Sequence, residues 1–296
     1  MKKIIITGAL GQDGIILSKI LIKKKFKVFG FVKKIKKKKI KNVTYMKCNM
    51  YNNNALEKKI NTINPDAIVH FASFNPSYVD LKKNKSFYQK NYKVLKNLIH
   101  CMVFSKENIK FIFAGSSQMY GNIKKKVNEK QKFLSSNSYS KFRINSHQMI
   151  MKMKRKFNIK ATTIILFNHD SKYRNKKFVI PRLIKAIRLK KINIIKNIFK
   201  ENIWCDFSHA EDICNAIYLL LISNYNPDKL ILSSGKLTSL NRIIIFLLKK
   251  MNLKIYLNNK IKKKKGLFGN NQKAKKILKW KPKKTIFNAA LEIMNN

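Results

Sequence analysis

Short apolar runs rich in β-branched residues alternate along the chain with longer segments whose apolar residues recur at helical spacing. The short runs predict strands at residues 3–7, 27–32, 43–47, 67–71, 110–114 and 161–167. The intervening segments predict helices near residues 15–25, 54–61, 81–104, 138–157 and 209–222. Alternating strands and helices are typical of parallel β-α-β units. The pattern therefore predicts an α/β fold with a doubly wound, Rossmann-type parallel sheet.

After Asn168 the alternation becomes less regular. Polar loops, a helix near residues 181–189 and short C-terminal elements predict a smaller lobe. We therefore assign residues 1–167 to a Rossmann domain, to which 204–233 would return. Residues 168–203 and 234–296 would form a C-terminal lobe that binds substrate.

The composition is strongly basic. The 296 residues include 66 Lys plus Arg and 13 Asp plus Glu, a net charge of +53, and 45% of them are hydrophobic, which excludes a disordered chain. Basic runs such as 36–39 attract phosphates. However, only six of the cations are Arg, and Lys, Ile and Asn are all abundant, as AT-biased coding produces. We therefore expect no specific nucleic-acid partner.

The cysteines are scattered. Cys48, Cys101, Cys205 and Cys214 form no Cys-x-x-Cys pair, which favours a reducing compartment and no metal site. No apolar stretch approaches the length of a membrane span. The sequence predicts a cytoplasmic protein that does not bind membranes.

A glycine-rich turn follows the first predicted strand, with the sequence Gly8-Ala9-Leu10-Gly11-Gln12-Asp13-Gly14. Glycines between a strand and a helix let the backbone approach a pyrophosphate, and the helix N-terminus supplies N–H groups. The turn therefore predicts a dinucleotide site. The second strand is followed by Lys33 and Lys34 rather than by an acid that would bind a free ribose hydroxyl. These cations favour NADP over NAD.

A second group of polar residues follows the fifth predicted strand. Ser116 lies just after that strand, and Tyr139 and Arg143 lie four residues apart on a predicted helix. This spacing places the tyrosine and the arginine on one helix face, whereas Lys141 points away. A hydroxyl, a phenol and a cation can polarise a sugar hydroxyl or carbonyl for proton transfer. The alternative interpretation is a buried tyrosine beside a solvated arginine.

Six stretches together resemble the extended short-chain dehydrogenase/reductase (NAD-dependent epimerase/dehydratase) family. They are residues 7–14, 65–72, 166–171, 178–179, 206–212 and 273–282. The pieces Gly11-Gln12-Asp13-Gly14 and Phe167-Asn168-His169-Asp170-Ser171 resemble its GDP-mannose 4,6-dehydratase branch. This resemblance implies NADP, a nucleotide-sugar substrate such as GDP-mannose, and a homodimer or homotetramer.

The resemblance also implies roles for individual residues. Those that would bind the cofactor are Gly8, Gly11, Gln12, Asp13, Gly14, Lys33, Lys34, Asn49, Phe71, Ala72, His169 and Arg174. Substrate would contact Asn168, Val179 and Arg182. The catalytic positions would be Ser116, Gln118, Tyr139 and Arg143.

The chain departs from the family pattern at three of these positions. Gln118 occupies the place of a glutamate that removes the sugar C5 proton, and an amide has no accessible basic state. Arg143 replaces a lysine, and Asn49 replaces an aspartate near the adenine. Three interpretations follow: a GDP-mannose 4,6-dehydratase with altered catalytic residues, a 4-keto reductase or 4-epimerase, or an NADP-binding homologue without turnover.

Overall fold

The computed structural model describes residues 1–35, 40–73, 85–104, 108–257 and 264–296, with the backbone alone at 85–87. The lysine run at 36–39 and the start of the helix predicted at 81–104 lie outside these ranges. In chain order the described strands are β1 (Lys3–Thr7), β2 (Lys27–Val32), β3 (Val43–Lys47), β4 (Ala67–His70), β5 (Lys110–Ala114), β6 (Lys126–Val127), β7 (Ala161–Leu166), β8 (Asn168–Asp170), β9 (Trp204–His209), β10 (Lys229–Leu232), β11 (Leu237–Ser239) and β12 (Phe268–Gly269). The described α-helices are α1 (Gln12–Lys23), α2 (Asn53–Ile63), α3 (Lys85–Val103), α4 (Ser138–Phe157), α5 (Val179–Arg188), α6 (Ile192–Glu201), α7 (Ala210–Ile222), α8 (Leu240–Lys250), α9 (Gln272–Leu278) and α10 (Ile286–Met294).

A seven-stranded sheet forms the centre of the molecule, in the order β10-β7-β5-β4-β1-β2-β3. Every neighbouring pair in it is parallel. The chain builds outward from β1 to β3 on one side and then continues from β4 on the other. The carboxyl ends of β1 and β4 therefore lie side by side where the strand order reverses, which is where open α/β sheets bind ligands.

Alternate residues of the strands face two different cores. Ile4 and Ile6 pack with α1 and α7 on one face of the sheet, whereas Ile5 packs with α2, α3 and α4 on the other. Because both faces are covered, these strands are apolar throughout, which explains the unbroken runs in the sequence. The predicted α/β doubly wound fold is confirmed.

Four of the six predicted strands match the structure to the residue, and β4 and β7 each end one residue earlier. Their next backbone N–H groups still reach the neighbouring strand, but with longer bonds of 3.3 Å from Phe71 to Thr7 and 3.5 Å from Phe167 to Leu232. The strand ends are therefore frayed rather than misplaced.

Several helix starts differ from the prediction by one to three residues. The first helix begins at Gln12 rather than residue 15, since the N–H of Ile15 already donates to the carbonyl of Gly11 at 2.9 Å. Helix α7 begins at 210 because His209 caps it, with Nδ1 accepting from the N–H of Glu211 at 3.1 Å.

The irregular part of the sequence forms two small sheets and a third core. In one sheet β9 pairs in parallel with β8 and antiparallel with β11, and in the other β6 pairs with β12. Side chains from α5, α6, α8 and α10 pack into one cluster beside them. The division of the chain into domains stays a prediction. Within residues 204–233, strand β10 joins the central sheet.

A buried carboxylate ties these small elements together. Asp206 of β9 accepts backbone N–H groups from Ser234 at 2.9 Å, Gly235 at 3.0 Å and Gly269 at 3.2 Å. Desolvation raises the pKa of Asp206 despite these bonds.

None of the described helices is long and apolar enough to cross a bilayer.

Candidate active site

The turn between β1 and α1 leaves no room for a side chain at its first or its last glycine. Gly8 has φ of +72°, and a Cβ there would lie 2.9 Å from the backbone nitrogen of Ala72. A Cβ on Gly14 would lie 2.4 Å from the carbonyl oxygen of Gly8. Gly11 caps α1 without a side chain, so an anion can approach the first N–H groups of the helix. The turn therefore fits a dinucleotide pyrophosphate.

Gln12 joins this turn to the end of β8, 157 residues later. Its Nε2 donates to the carbonyl of His169 at 3.1 Å, and its Oε1 accepts from the hydroxyl of Ser171 at 3.0 Å. The side chain is buried. Gln12 thus holds the first turn of α1 against β8, and the two sequence pieces typical of one branch of the family lie in contact.

Asp13 and His169 form a second bridge across the same junction. The imidazole Nδ1 lies 2.6 Å from the carbonyl of Phe167 and must donate to it, while Nε2 lies 3.0 Å from Asp13 Oδ1. Burial alone would raise the pKa of Asp13 and lower that of His169. Their mutual attraction outweighs burial, so the pKa of Asp13 lies below its usual 3.8 and that of His169 above its usual 6.5. The directions of both shifts favour the charged form of the pair.

Arg174 adds a further cation beside this pair. Its Nε lies 2.9 Å from Asp170 Oδ1, and its guanidinium carbon lies 3.6 Å from the ring centre of Phe178. The charge of Arg174 also contributes to the lowered pKa of Asp13. Asp170 and Phe178 thus hold Arg174 near the N-terminus of α1.

A cavity of about 1080 Å³ opens at the carboxyl ends of β1, β2, β3 and β4. Five of the predicted cofactor residues line it: Gly8, Gly11, Lys33, Asn49 and Ala72. Neither Lys34 nor Phe71 is among the described residues that line it. Its volume and its position at the reversal of strand order suit one end of a dinucleotide.

Three of the lysines that line this cavity were not predicted from the sequence as cofactor residues. Lys47 ends β3, and Lys90 and Lys93 lie on α3. Lys47 could have been predicted to lie here, because it ends a predicted strand whereas Lys33 directly follows one. Nothing in the sequence indicated that Lys90 and Lys93 line a cavity, because a lysine on an amphipathic helix is usually a solvated side chain.

Ser116 and Gln118 lie in the turn after β5, at the start of a short 3₁₀ helix (Ser117–Tyr120). The Ser116 hydroxyl accepts from the backbone N–H of Gln118 at 3.3 Å. The Gln118 amide oxygen accepts from Asn137 Nδ2 at 3.3 Å, and Asn137 caps α4 by accepting the N–H of Ser140 at 2.8 Å. These bonds hold the turn against the first residues of α4, where Tyr139 lies.

Tyr139 and Arg143 share one face of α4, as their spacing predicted, and Lys141 is exposed on another. The guanidinium carbon lies 5.2 Å from the Tyr139 ring centre, and Nη1 donates to the carbonyl of Ala114 at 2.5 Å. Both side chains are buried, with 4% exposure each. The alternative of a solvated arginine is therefore wrong.

Arg143 also contributes to the lowered pKa of His70, a buried histidine of β4. Burial and the charge of Arg143 lower the pKa of His70 to about 3. Its Nδ1 lies 2.7 Å from the hydroxyl of Thr7, which also accepts the N–H of Ala72 at 3.1 Å. His70 is thus neutral at the carboxyl ends of β1 and β4.

The predicted substrate residues lie on β8 and α5. Asn168 is exposed at the start of β8, while Val179 and Arg182 lie three residues apart on α5, half-buried and exposed respectively. Residues three apart share a helix face. No cluster of three or more potential metal ligands occurs within the described ranges.

The parallel sheet and its glycine turn are those of an extended short-chain dehydrogenase/reductase. Residues 5–294 match the family model described as GDP-mannose 4,6 dehydratase. The chain belongs to this family of nucleotide-sugar-modifying enzymes. It is 23% identical to GDP-mannose 4,6 dehydratase 1 of Arabidopsis thaliana, over 94% of this chain and 85% of the relative. It is 24% identical to the GDP-mannose 4,6 dehydratase of Dictyostelium discoideum, over 95% and 92%.

Solved structures support the fold. A dTDP-glucose 4,6-dehydratase from Bacillus anthracis in complex with NAD superposes with a TM-score of 0.82 at 15% identity, covering 100% of this chain and 96% of that one. A UDP-glucuronic acid 4-epimerase from Bacillus cereus, in complex with UDP-glucuronic acid and NAD, has a TM-score of 0.82 at 18% identity, covering 99% and 98%.

Proposed function

We propose that this protein is a GDP-mannose 4,6-dehydratase that uses NADP. The observation that carries this proposal is the contact between the two branch-specific pieces of sequence, in which Gln12 and Asp13 bind His169 and Ser171. The family match over residues 5–294 supports the same substrate class.

The residues of the site have distinct tasks in this proposal. The N-terminus of α1 binds the cofactor pyrophosphate, and Lys33 binds a phosphate at the adenosine end. These residues would hold NADP, and the nicotinamide would supply the hydride chemistry at C4 of the sugar. Tyr139 takes the proton of the C4 hydroxyl, Ser116 donates a hydrogen bond to the C4 oxygen, and Arg143 keeps a positive charge beside the phenol ring.

Incubation of the purified protein with GDP-mannose and NADP tests the proposal. Mass spectrometry should show a GDP-sugar that has lost one water and carries a 4-keto group. The absence of this product at saturating substrate, in a preparation that binds NADP, would exclude dehydration as the activity.

A 4-keto reductase or 4-epimerase is the second candidate, and the Gln118–Asn137 contact favours it. Both side chains are amides, and none of the described carboxylates hydrogen-bonds to Gln118. Reduction or epimerisation at C4 requires Ser116 and Tyr139 but no carboxylate at position 118. A GDP-4-keto-6-deoxy sugar offered with NADPH would be reduced by such an enzyme. Binding of NADP without turnover on either substrate would indicate the third interpretation, an inactive homologue.

The preference for NADP over NAD rests on Lys33 and Lys34, although the two structural neighbours named above carry NAD. Replacing both lysines with alanine should weaken NADP binding far more than NAD binding. Equal losses in a fluorescence titration would contradict the preference.

We also propose that copies of this chain pair as a homodimer or homotetramer. Light scattering, which measures the mass of the assembly in solution, would test this.

A further inference from the structure

A second cavity, of about 580 Å³, opens at the opposite edge of the central sheet. Lys3 begins β1, Lys110 begins β5 and Lys160 directly precedes β7, and all three line this cavity. Because every neighbouring pair of strands in the sheet is parallel, these amino ends share one edge. The glycine turn follows the carboxyl end of β1, and the proposed function uses no residue of this lining. The cavity is therefore separate from the candidate active site.

Four lysines line the cavity, namely Lys2, Lys3, Lys110 and Lys160. Asp66 is the only acidic residue of the described lining, and its Oδ2 already accepts the backbone N–H of Lys3 at 2.7 Å. The Nζ of Lys3 donates to the carbonyl of Ile63 at 2.8 Å. No described residue forms a hydrogen bond or an ion pair with the exposed side chain of Lys2 or of Lys160. These two ammonium groups are therefore available to a ligand.

Lys110 is the buried member of this group, with 8% exposure. Its Nζ donates to the carbonyls of Leu220 at 2.5 Å and Ser223 at 2.7 Å, at the end of α7. Since an ammonium has three N–H groups, one is left without an acceptor among the described residues. Burial and the nearby charges of Lys160 and Lys2 lower the pKa of Lys110 to about 8. An anion between these lysines would therefore reduce their repulsion and accept from the remaining donor.

The charge and the size of the cavity indicate which anion would fit. Four lysines against one aspartate leave three positive charges in excess within the described lining, whereas one phosphate carries at most about two negative charges. A diphosphate matches this excess better. The volume lies in the range of roughly 300–1,000 Å³ that small-molecule sites occupy. Asn226 also lines the cavity, and its buried Oδ1 accepts no hydrogen bond from a described residue, so a hydroxyl or amino group of the ligand could donate to it.

We propose that this cavity binds the diphosphate group of a small molecule, with Lys2, Lys110 and Lys160 as its partners. Lys110 offers the buried donor, and Lys2 and Lys160 offer the exposed ones. Inorganic pyrophosphate and a nucleoside diphosphate carry this same group, so both serve as probes.

Calorimetric titration of the NADP-saturated protein at physiological ionic strength tests the proposal, with inorganic pyrophosphate and ADP as the probes. Wild type should bind both, and the tighter of the two identifies the ligand as inorganic or organic. The variants Lys2→Gln and Lys160→Gln should each weaken pyrophosphate binding about two- to fivefold, the range of an exposed ion pair. The affinity for NADP should not change, because its proposed site lies at the other edge of the sheet.

Lys152→Gln is the matched control, since Lys152 is an exposed lysine of α4 that is not among the described residues of the lining. It removes the same charge and should leave pyrophosphate binding unchanged. Lysine acylation followed by mass spectrometry locates the ligand on wild type without any substitution, because pyrophosphate should protect Lys2 and Lys160 and leave Lys152 reactive.

Equal losses in Lys152→Gln, or equal protection of all three lysines, would overturn the proposal in favour of general attraction by a basic chain. Undiminished pyrophosphate binding in a double variant of Lys2→Gln and Lys160→Gln would place the ligand elsewhere and overturn it too. A wild type that binds neither probe would show that the cavity is no diphosphate site, and would leave the proposed function intact.

Discussion

Gln118 is the residue at which the chemistry of the site and the family match disagree. The amide oxygen of Gln118 accepts from Asn137 Nδ2, and a carboxylate could accept the same hydrogen bond. A glutamate would be nearly the same size as the glutamine, so a substitution would mainly add a group that can take a proton. The position can therefore be tested with little disturbance of its surroundings.

Gln118→Glu should raise the dehydration rate, by up to roughly the 10²–10⁴-fold that a positioned general base supplies. The affinity for NADP should change little, because Gln118 is not among the described residues that line the cavity at the carboxyl ends of β1 to β4. The measurement is the rate of 4-keto sugar formation from GDP-mannose, with Gln118→Ala as the control that provides no base. A wild type as fast as Gln118→Glu would show that another group removes the C5 proton.

Tyr139→Phe should abolish most of the turnover on any substrate that the wild type converts, with a loss of roughly 10²-fold or more. Tyr120→Phe is the matched control. Its hydroxyl donates to the carbonyl of Asn128 at 3.2 Å, and burial raises the pKa of Tyr120. This variant should lose about 1 kcal/mol of stability and little activity. Full turnover in Tyr139→Phe would exclude Tyr139 as the proton-transfer residue.

Contacts between residues close in sequence could be predicted, and distant ones could not. The four-residue spacing on a helix was enough to place Tyr139 beside Arg143. Nothing local in the sequence indicates that Gln12 reaches Ser171, because that contact depends on how α1 and β8 pack. The arginine lies near the phenol ring, as its spacing predicted, and the sequence did not indicate that it also lies over the rings of Phe113 and Phe142.

Among the elements, the long buried strands were predictable and the short ones were not. A parallel strand covered on both faces is mostly apolar, so β1, β2 and β5 were visible as runs. Strands of two or three residues such as β8 and β12 are too short to show any period. Their pairing depends on tertiary contacts such as the carboxylate of Asp206, which binds three distant backbone N–H groups.

The junction between α1 and β8 contains an ion pair, so its strength should depend on pH. The pKa of His169 is raised, so its contribution is complete below its usual 6.5 and is lost as pH rises through the folded value. The pKa of Asp13 is lowered, so its contribution is present above its usual 3.8 and is lost as pH falls through the folded value. The pair should therefore stabilise the fold most between these two pH values.

Asp13→Asn should lower the free energy of unfolding by about 3 kcal/mol near pH 6, since it leaves a buried cation unpaired. The difference from wild type, measured by urea unfolding, should shrink as pH rises through the folded pKa of His169 and the imidazole becomes neutral. Ser171→Ala is the control, because it removes the bond to Gln12 in the same junction without changing a charge. Its cost should be independent of pH. A cost of Asp13→Asn that is equally independent of pH would contradict the ion pair.

At the scale of the whole molecule, charge opposes folding. Even if each of the 13 acidic residues paired with one cation, 66 − 13 = 53 cations would have no acidic partner. Several acids are used inside the fold, such as Asp13 with His169 and Asp170 with Arg174. Most lysines therefore repel one another, and a field of this kind destabilises the compact state.

Screening this repulsion should stabilise the protein. The range of the interaction between exposed charges falls from roughly 30 Å at 0.01 M salt to about 8 Å at 0.15 M. Because the compact chain gains more from screening than the expanded chain, the thermal midpoint should rise over this range. A gain of 1 kcal/mol corresponds to about 2 °C in a chain of this size, so we expect a rise of at least that much by differential scanning fluorimetry with sodium chloride. Glucose at equal osmolality is the uncharged control and should have a much smaller effect. A midpoint that is constant or falls with salt would show that self-repulsion does not limit the stability of this fold.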